Sequence, residues 1–237
     1  MRANIIYVTL ITLLSFAYSE KKKTIYLVRH GETVQPDPLP RFRGRINIPL
    51  SDLGIAHCKA AGDFLANTNL GKIYHSSMPR ARKAAEYIAE KHSTPLELVE
   101  EPLVIDVSWG IYEGKTFVES LGEDGVEQFL GHPETLHIPE GETFYSVMDR
   151  VRLFLVKFWE SDEEICTVVS HGTITNVLAL MITQAPLQKF WTMYMSACGV
   201  SKIQMKSIYS FTVEYWNANH FLKEGEKKLI YFYNLNK

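Results

Sequence analysis

The heptapeptide Leu27-Val28-Arg29-His30-Gly31-Glu32-Thr33 sets an imidazole beside a guanidinium where an apolar run, Thr24 to Val28, gives way to a glycine. A histidine at such a point can act as a nucleophile or a base, and an arginine can fork onto a phosphate. Position strengthens the chemistry. In open α/β sheets, ligands bind just outside the carboxyl ends of the strands, and His30 directly follows a strand-like run. Further basic residues are gathered locally, in Arg41-Phe42-Arg43-Gly44-Arg45 and Arg80-Ala81-Arg82-Lys83, on a chain of formal net charge -2. That distribution suits a small anionic ligand and argues against nucleic acid as a partner.

The elements that must position these groups are legible from periodicity. Apolar, β-branched runs predict strands over Thr24–Val28, Lys72–His75, Leu96–Val99, Cys166–Ser170, Val200–Met205 and Phe211–Trp216. Helical spacing predicts helices over Asp52–Ala66, Pro79–Lys91, Phe117–Leu130, Thr143–Trp159 and Thr173–Thr183. Ser51 and Asp52 can cap the first helix, and Pro79 suits the first turn of the second. Phe144, Val147, Val151, Phe154, Leu155 and Phe158 recur at helical spacing and form a core stripe. Strands alternating with helices predict an α/β fold: a three-layer sandwich with a mostly parallel central sheet and helices on both faces. The 237 residues, 46% of them hydrophobic, suffice for one large core. No repeat or linker divides residues 20–237, which are taken as a single domain.

Residues 1–19 differ in character. Arg2 precedes an apolar stretch, Ile5 to Ala17, and Ala17-Tyr18-Ser19 offers small residues where a signal peptidase reads. A secretory signal peptide is expected, with the mature chain in the secretory lumen or outside the cell. Lys21, Lys22 and Lys23 follow directly, which keeps open an uncleaved membrane anchor through residues 5–18. Three cysteines make no disulfide framework, and Cys58 and Cys166 read as core residues. His57 and His92 read as surface residues on helices. His132, Glu134 and His137 share a loop, and their spacing fits no zinc arrangement, so no metal is expected.

The opening heptapeptide resembles the signature of the histidine phosphatase superfamily, in its phosphoglycerate-mutase-like branch. Three further segments match that family in the same order. Gly44-Arg45-Ile46-Asn47-Ile48-Pro49-Leu50-Ser51-Asp52-Leu53-Gly54 is similar to its Gly-x-x-x-x-Pro-Leu-Ser-x-x-Gly. Ser76-Ser77-Met78-Pro79-Arg80-Ala81 is similar to its Ser-Ser-x-x-Arg-Ala, and Val168-Val169-Ser170-His171-Gly172 to its Val-x-Ser-His-Gly. The resemblance implies that His30 takes the phosphoryl group on a ring nitrogen, that Arg29 and Arg80 grip it, and that His171 stabilises its charge. It implies a small phosphorylated substrate and no cofactor.

Two departures stand out. The family places a glutamate as general acid seven residues before the glutamate of a Trp-Glu-Gly-like motif. Here Tyr112-Glu113-Gly114 matches that motif, and the position seven before Glu113 holds Asp106. Asp106 is the expected acid, with a carboxyl that reaches about 1.5 Å less; Glu113 is the alternative. Relatives also carry an asparagine on the phosphate shortly after the position of Thr33, where this chain reads Val34-Gln35-Pro36. Thr33 is expected to substitute on the substrate, with Gln35 as the alternative, and Arg43 to face the rest of the ligand. The mutases' glutamate-arginine-histidine-tyrosine run is absent, as is any Arg-Arg pair. A phosphatase hydrolysing phosphate monoesters is therefore expected ahead of a mutase-type phosphotransferase. A catalytically weak binder of phosphorylated ligands is the reading from outside enzymology.

Overall fold

A computed structural model describes residues 21–36 and 39–222. The signal peptide or anchor expected at residues 1–19 and the aromatic tail at 229–235 lie outside the described residues. The sheet has six strands: β1 (Lys23–Arg29), β2 (Lys72–His75), β3 (Leu98–Glu100), β4 (Ile165–Ser170), β5 (Val200–Ser207) and β6 (Ser210–Ala218). Their spatial order is β3-β2-β4-β1-β5-β6. Among the described residues the α-helices are α1 (Asp52–Leu65), α2 (Pro79–Ala89), α3 (Phe117–Gly131), α4 (Phe144–Glu160) and α5 (Gly172–Thr183).

Alternation along β1 builds the three layers. Ile25 and Leu27 enter one core with Phe129 of α3, Phe154 of α4 and Val177 of α5. Tyr26 and Val28 enter the other, with Cys58 and Leu65 of α1 and Ala81 and Ile88 of α2. A strand buried on both faces must read as continuously apolar, and β1 does. β1 and β4 sit side by side in parallel, with Arg29 opposite Ser170. Their carboxyl ends therefore deliver His30 and His171 to the same place.

The sheet is mostly parallel, as expected: β3, β2, β4 and β1 run the same way, and β5 is the strand that makes it mixed. β5 runs antiparallel to both β1 and β6. β5 and β6 form a hairpin, and short connections join antiparallel strands, whereas parallel ones need a long crossover. α3 is also not one straight helix. It starts with a Thr116–Glu119 capping box and breaks at Gly122, where φ is 68°, a conformation that glycine adopts without the penalty of a Cβ. His57 departs from the surface expectation and is 1% exposed. It shares the buried stripe of α1 with Gly54, Cys58, Ala61 and Leu65, because positions three and four apart lie on one helix face. His92 is half-buried, between the carbonyls of Ile88 and Thr68.

The loop after β1 is held by close backbone packing. A Cβ on Gly54 would lie 1.9 Å from the carbonyl oxygen of Glu32. Gly54→Ala is therefore expected to push α1 off the His30 loop and cost about 1–3 kcal/mol. A thermal melt checks this, with an unchanged Tm as the contrary result.

Candidate active site

Beyond the carboxyl ends of β1 and β4 lies a cavity of about 240 Å³, whose wall includes Arg29, His30, Arg43, Arg80 and Asp106. His30 is 6% exposed. Its Nδ1 lies 2.6 Å from the carbonyl oxygen of its neighbour Gly31. A carbonyl only accepts, so Nδ1 carries the proton and Nε2 keeps its lone pair. Burial, and then the neighbouring His171, Arg80 and Arg29, hold His30 well below the ordinary histidine range. It is a neutral imidazole.

Arg80 is almost wholly buried although it stands in the first turn of α2. Its Nη1 donates to the carbonyl of Ile46 at 2.9 Å, and its Nη2 donates to the carbonyl of Gly44 and to Asp106 Oδ2. Arg29 Nη1 donates to the carbonyl of Met195 at 2.8 Å and to the Tyr194 hydroxyl, whose ring lies against the guanidinium. Gly172 leaves room for this, since a Cβ there would stand 3.1 Å from Arg29 Cζ. His171 caps α5 and is 1% exposed. Its Nε2 lies 2.7 Å from Ser76 Oγ, its Nδ1 3.4 Å from Asp106 Oδ2. Its ring stands edge-on to that of His30, with centroids 5.0 Å apart.

Three nitrogens here have no hydrogen-bond partner among the described residues: Arg29 Nε, Arg80 Nε and His171 Nδ1. Buried polar groups in folded proteins are nearly always paired, and each orphan costs about 1–3 kcal/mol. Two guanidinium N–H groups and a ring nitrogen beside one neutral imidazole suit an oxyanion.

Asp106 sits on the cavity wall in a loop secured from α4. Arg150 donates to the carbonyls of Leu103 and Asp106 and pairs with Glu142, which in turn accepts the N–H of Ser108. Burial raises the Asp106 carboxyl above its usual range, against the opposing pull of Arg80 and the Val107 N–H. The alternative acid, Glu113, is spent otherwise: its Oε1 accepts the N–H groups of Trp109 and Arg45. Thr33 is not on the cavity wall. It forms a β-bridge with Leu50, and its hydroxyl accepts from Arg43 Nη1 at 2.6 Å. It holds Arg43, which does line the cavity, as does Gln35. His132, Glu134 and His137 lie away from it, and no metal-holding group of three His, Cys, Asp or Glu occurs among the described residues.

The rest of the wall escaped sequence reasoning. Trp109, Phe117, Asn176, Trp191, Tyr194 and Ser196 come from four separate parts of the chain. No local pattern signals them, because only the approach of α5 and the loop before β5 gathers them.

Comparison with known proteins agrees with this geometry. Phosphoserine phosphatase 1 of Hydrogenobacter thermophilus is 28% identical over 186 residues, covering 77% of this chain and 86% of its own. A Danio rerio protein named as a probable fructose-2,6-bisphosphatase, TIGAR A, is 35% identical over 138 residues, 56% of this chain and 52% of its own. The solved structure of Bacillus stearothermophilus YhfR superposes with a TM-score of 0.75 at 26% identity, covering 85% of this chain and all of that one. The model of the histidine phosphatase superfamily (branch 1) matches residues 25–219. This chain is a member of that superfamily.

Proposed function

We propose that the protein hydrolyses small phosphate monoesters through a phosphohistidine on His30, with Asp106 as the acid. The carrying observation is the trio of buried, unpartnered donors around His30. A phosphoryl group placed there takes hydrogen bonds from Arg29, Arg80 and His171 while His30 Nε2 faces phosphorus. With the Ser76 hydroxyl accepting the N–H of Met78 and donating to His171 Nε2, the His171 proton sits on Nδ1, which lies beside Asp106 Oδ2. Such preorganised donors serve the charge of the transferring group, which is most of what phosphoryl transfer needs. The balance is simple. Nε2 bonds to phosphorus, the ester P–O bond breaks, and the leaving oxygen takes the proton of Asp106. Water then attacks phosphorus, Asp106 recovers a proton from it, and His30 and phosphate are released.

The relative's name suggests an amino-acid phosphate, and a cavity of about 240 Å³ fits an alcohol portion of that scale. The test is hydrolysis across pH by wild type and Asp106→Asn. His30 stays unprotonated below pH 6.5 because its pKa is lowered, so the acid limb of kcat/KM lies below that value. Asp106 must hold its proton to act, so the rate falls as pH rises through its raised pKa. The optimum is expected on the acid side of neutrality. Asp106→Asn should lose about 10²–10⁴-fold on an alkyl phosphate, and much less on an aryl phosphate whose leaving group needs no proton. Equal losses on both would overturn the acid assignment.

Residues 1–19 are proposed as a cleaved leader into the secretory lumen, on the strength of Ala17-Tyr18-Ser19. Sequencing the amino terminus of the exported protein should return Glu20. A start at Met1 in a membrane fraction would instead support the anchor.

A further inference from the structure

On the cavity wall, one polar group is left over after the phosphate grip is assembled. Asn176 lies one turn into α5 and lines the cavity at 3% exposure. Its Oδ1 is buried and accepts no hydrogen bond from any described residue. Asparagine is a poor choice for a helix interior, since its side chain competes with the backbone. No polar neighbour on that wall donates to Oδ1. The Tyr194 hydroxyl accepts from Arg29 and donates to no described residue, and Ser196 Oγ is bonded to Asn217 and Asn219. The cavity wall also includes Trp109, Phe117 and Trp191, whose indole N–H donates to the Phe129 carbonyl.

The phosphate cannot complete Oδ1 of Asn176. A phosphate dianion offers acceptors only, and so does Oδ1. The missing donor must come from the alcohol portion of the ligand. We infer that Asn176 is a specificity-determining residue that selects phosphate monoesters whose alcohol portion carries a second hydrogen-bond donor, a hydroxyl or an ammonium, within a compact carbon skeleton. The inference rests on the hydrolase reading for the orientation of the ligand. Its energetic logic is that of a site built around a hydrogen bond: the analogue lacking the donor leaves a buried acceptor unpaired and is rejected.

The experiment compares propyl phosphate with 2-hydroxypropyl and 3-hydroxypropyl phosphate, compounds of similar size and leaving-group basicity. Turnover is measured on wild type and Asn176→Leu, and calorimetric binding on His30→Ala with and without Asn176→Leu. At least one hydroxylated ester is expected to exceed propyl phosphate about tenfold in kcat/KM and in affinity. Asn176→Leu should bring that ratio to about one. Should Asn176→Leu not fold, Asn176→Asp keeps the shape and adds charge, and it should raise 2-aminoethyl phosphate over ethyl phosphate about tenfold relative to wild type. A wild-type protein indifferent to the hydroxyl overturns the inference, as does a variant that loses all three esters alike. The two readings fail separately. Turnover without preference sinks the role of Asn176 alone. Preferential binding to His30→Ala without wild-type turnover sinks the hydrolase and leaves the selective site standing.

Discussion

Hydrolysis of an aryl phosphate is expected to fall roughly 10⁴-fold or more in His30→Ala, because losing a nucleophile removes the covalent route entirely. The structure argues for this residue over the other histidines of the site. His30 has its Nδ1 proton tied to the Gly31 carbonyl, so Nε2 is the free lone pair. His171 has its Nε2 against Ser76 and its Nδ1 beside Asp106, an arrangement for donating. His75 has its Nδ1 against the Ser76 carbonyl and is not on the cavity wall. Rapid quenching of wild type into alkali, which preserves phosphohistidine, should show phosphate on His30 by mass spectrometry and none in the variant. Phosphate on His171, or a variant that keeps its turnover, would overturn the assignment.

The second large effect belongs to Arg80. It joins two roles that seldom meet in one side chain. Its guanidinium ties together the Gly44 and Ile46 carbonyls and Asp106, and its Nε is one of the three orphan donors. Arg80→Ala is expected to cost about 3–5 kcal/mol of stability, since the carboxyl of Asp106 then stays buried with its cationic partner gone. For a chain of this size that lowers the Tm by roughly 6–20 °C. It should also lower kcat/KM by about 10²–10³-fold through the lost donor. Arg80→Lys should restore little, because one ammonium cannot reproduce a planar fork aimed at three acceptors. The two roles can be separated. Arg80→Met combined with Asp106→Leu removes both charges and fills the space, which is often neutral for stability, so the melt should recover while activity does not. Recovery of both would show that neither residue touches the reaction.

What could be read before folding follows from the range of each signal. The residues that do chemistry stand beside the elements that carry them. His30 follows β1 immediately, His171 follows β4, and Arg80 opens α2 behind Pro79. Each is visible as a short pattern because a strand end or a helix start is a local event. The strand and helix limits agreed closely for the same reason: β1 and β4 are buried on both faces and read as continuous apolar runs. The acid position could be found by counting along the chain, and the fold adds why Asp106 holds it better than Glu113, whose oxygen is used by two backbone N–H groups.

Other properties of the chain existed only after packing. The direction of β5 depends on the hairpin with β6 and on pairing with β1, contacts that no local pattern encodes. His57 looked like any polar residue on a helix until the α1 stripe turned it inward. The Thr33 hydroxyl turned to Arg43 rather than to the cavity. Part of the cavity wall is wholly tertiary: Trp109, Asn176 and the Trp191–Tyr194 segment come from separate parts of the chain and meet only across the cavity. By itself, then, the sequence determined the reaction, because attacking and gripping groups ride on the ends of locally coded elements. The tertiary structure decided what the reaction can act on, because the walls of a cavity are made by surfaces from distant segments, and their approach is set by packing.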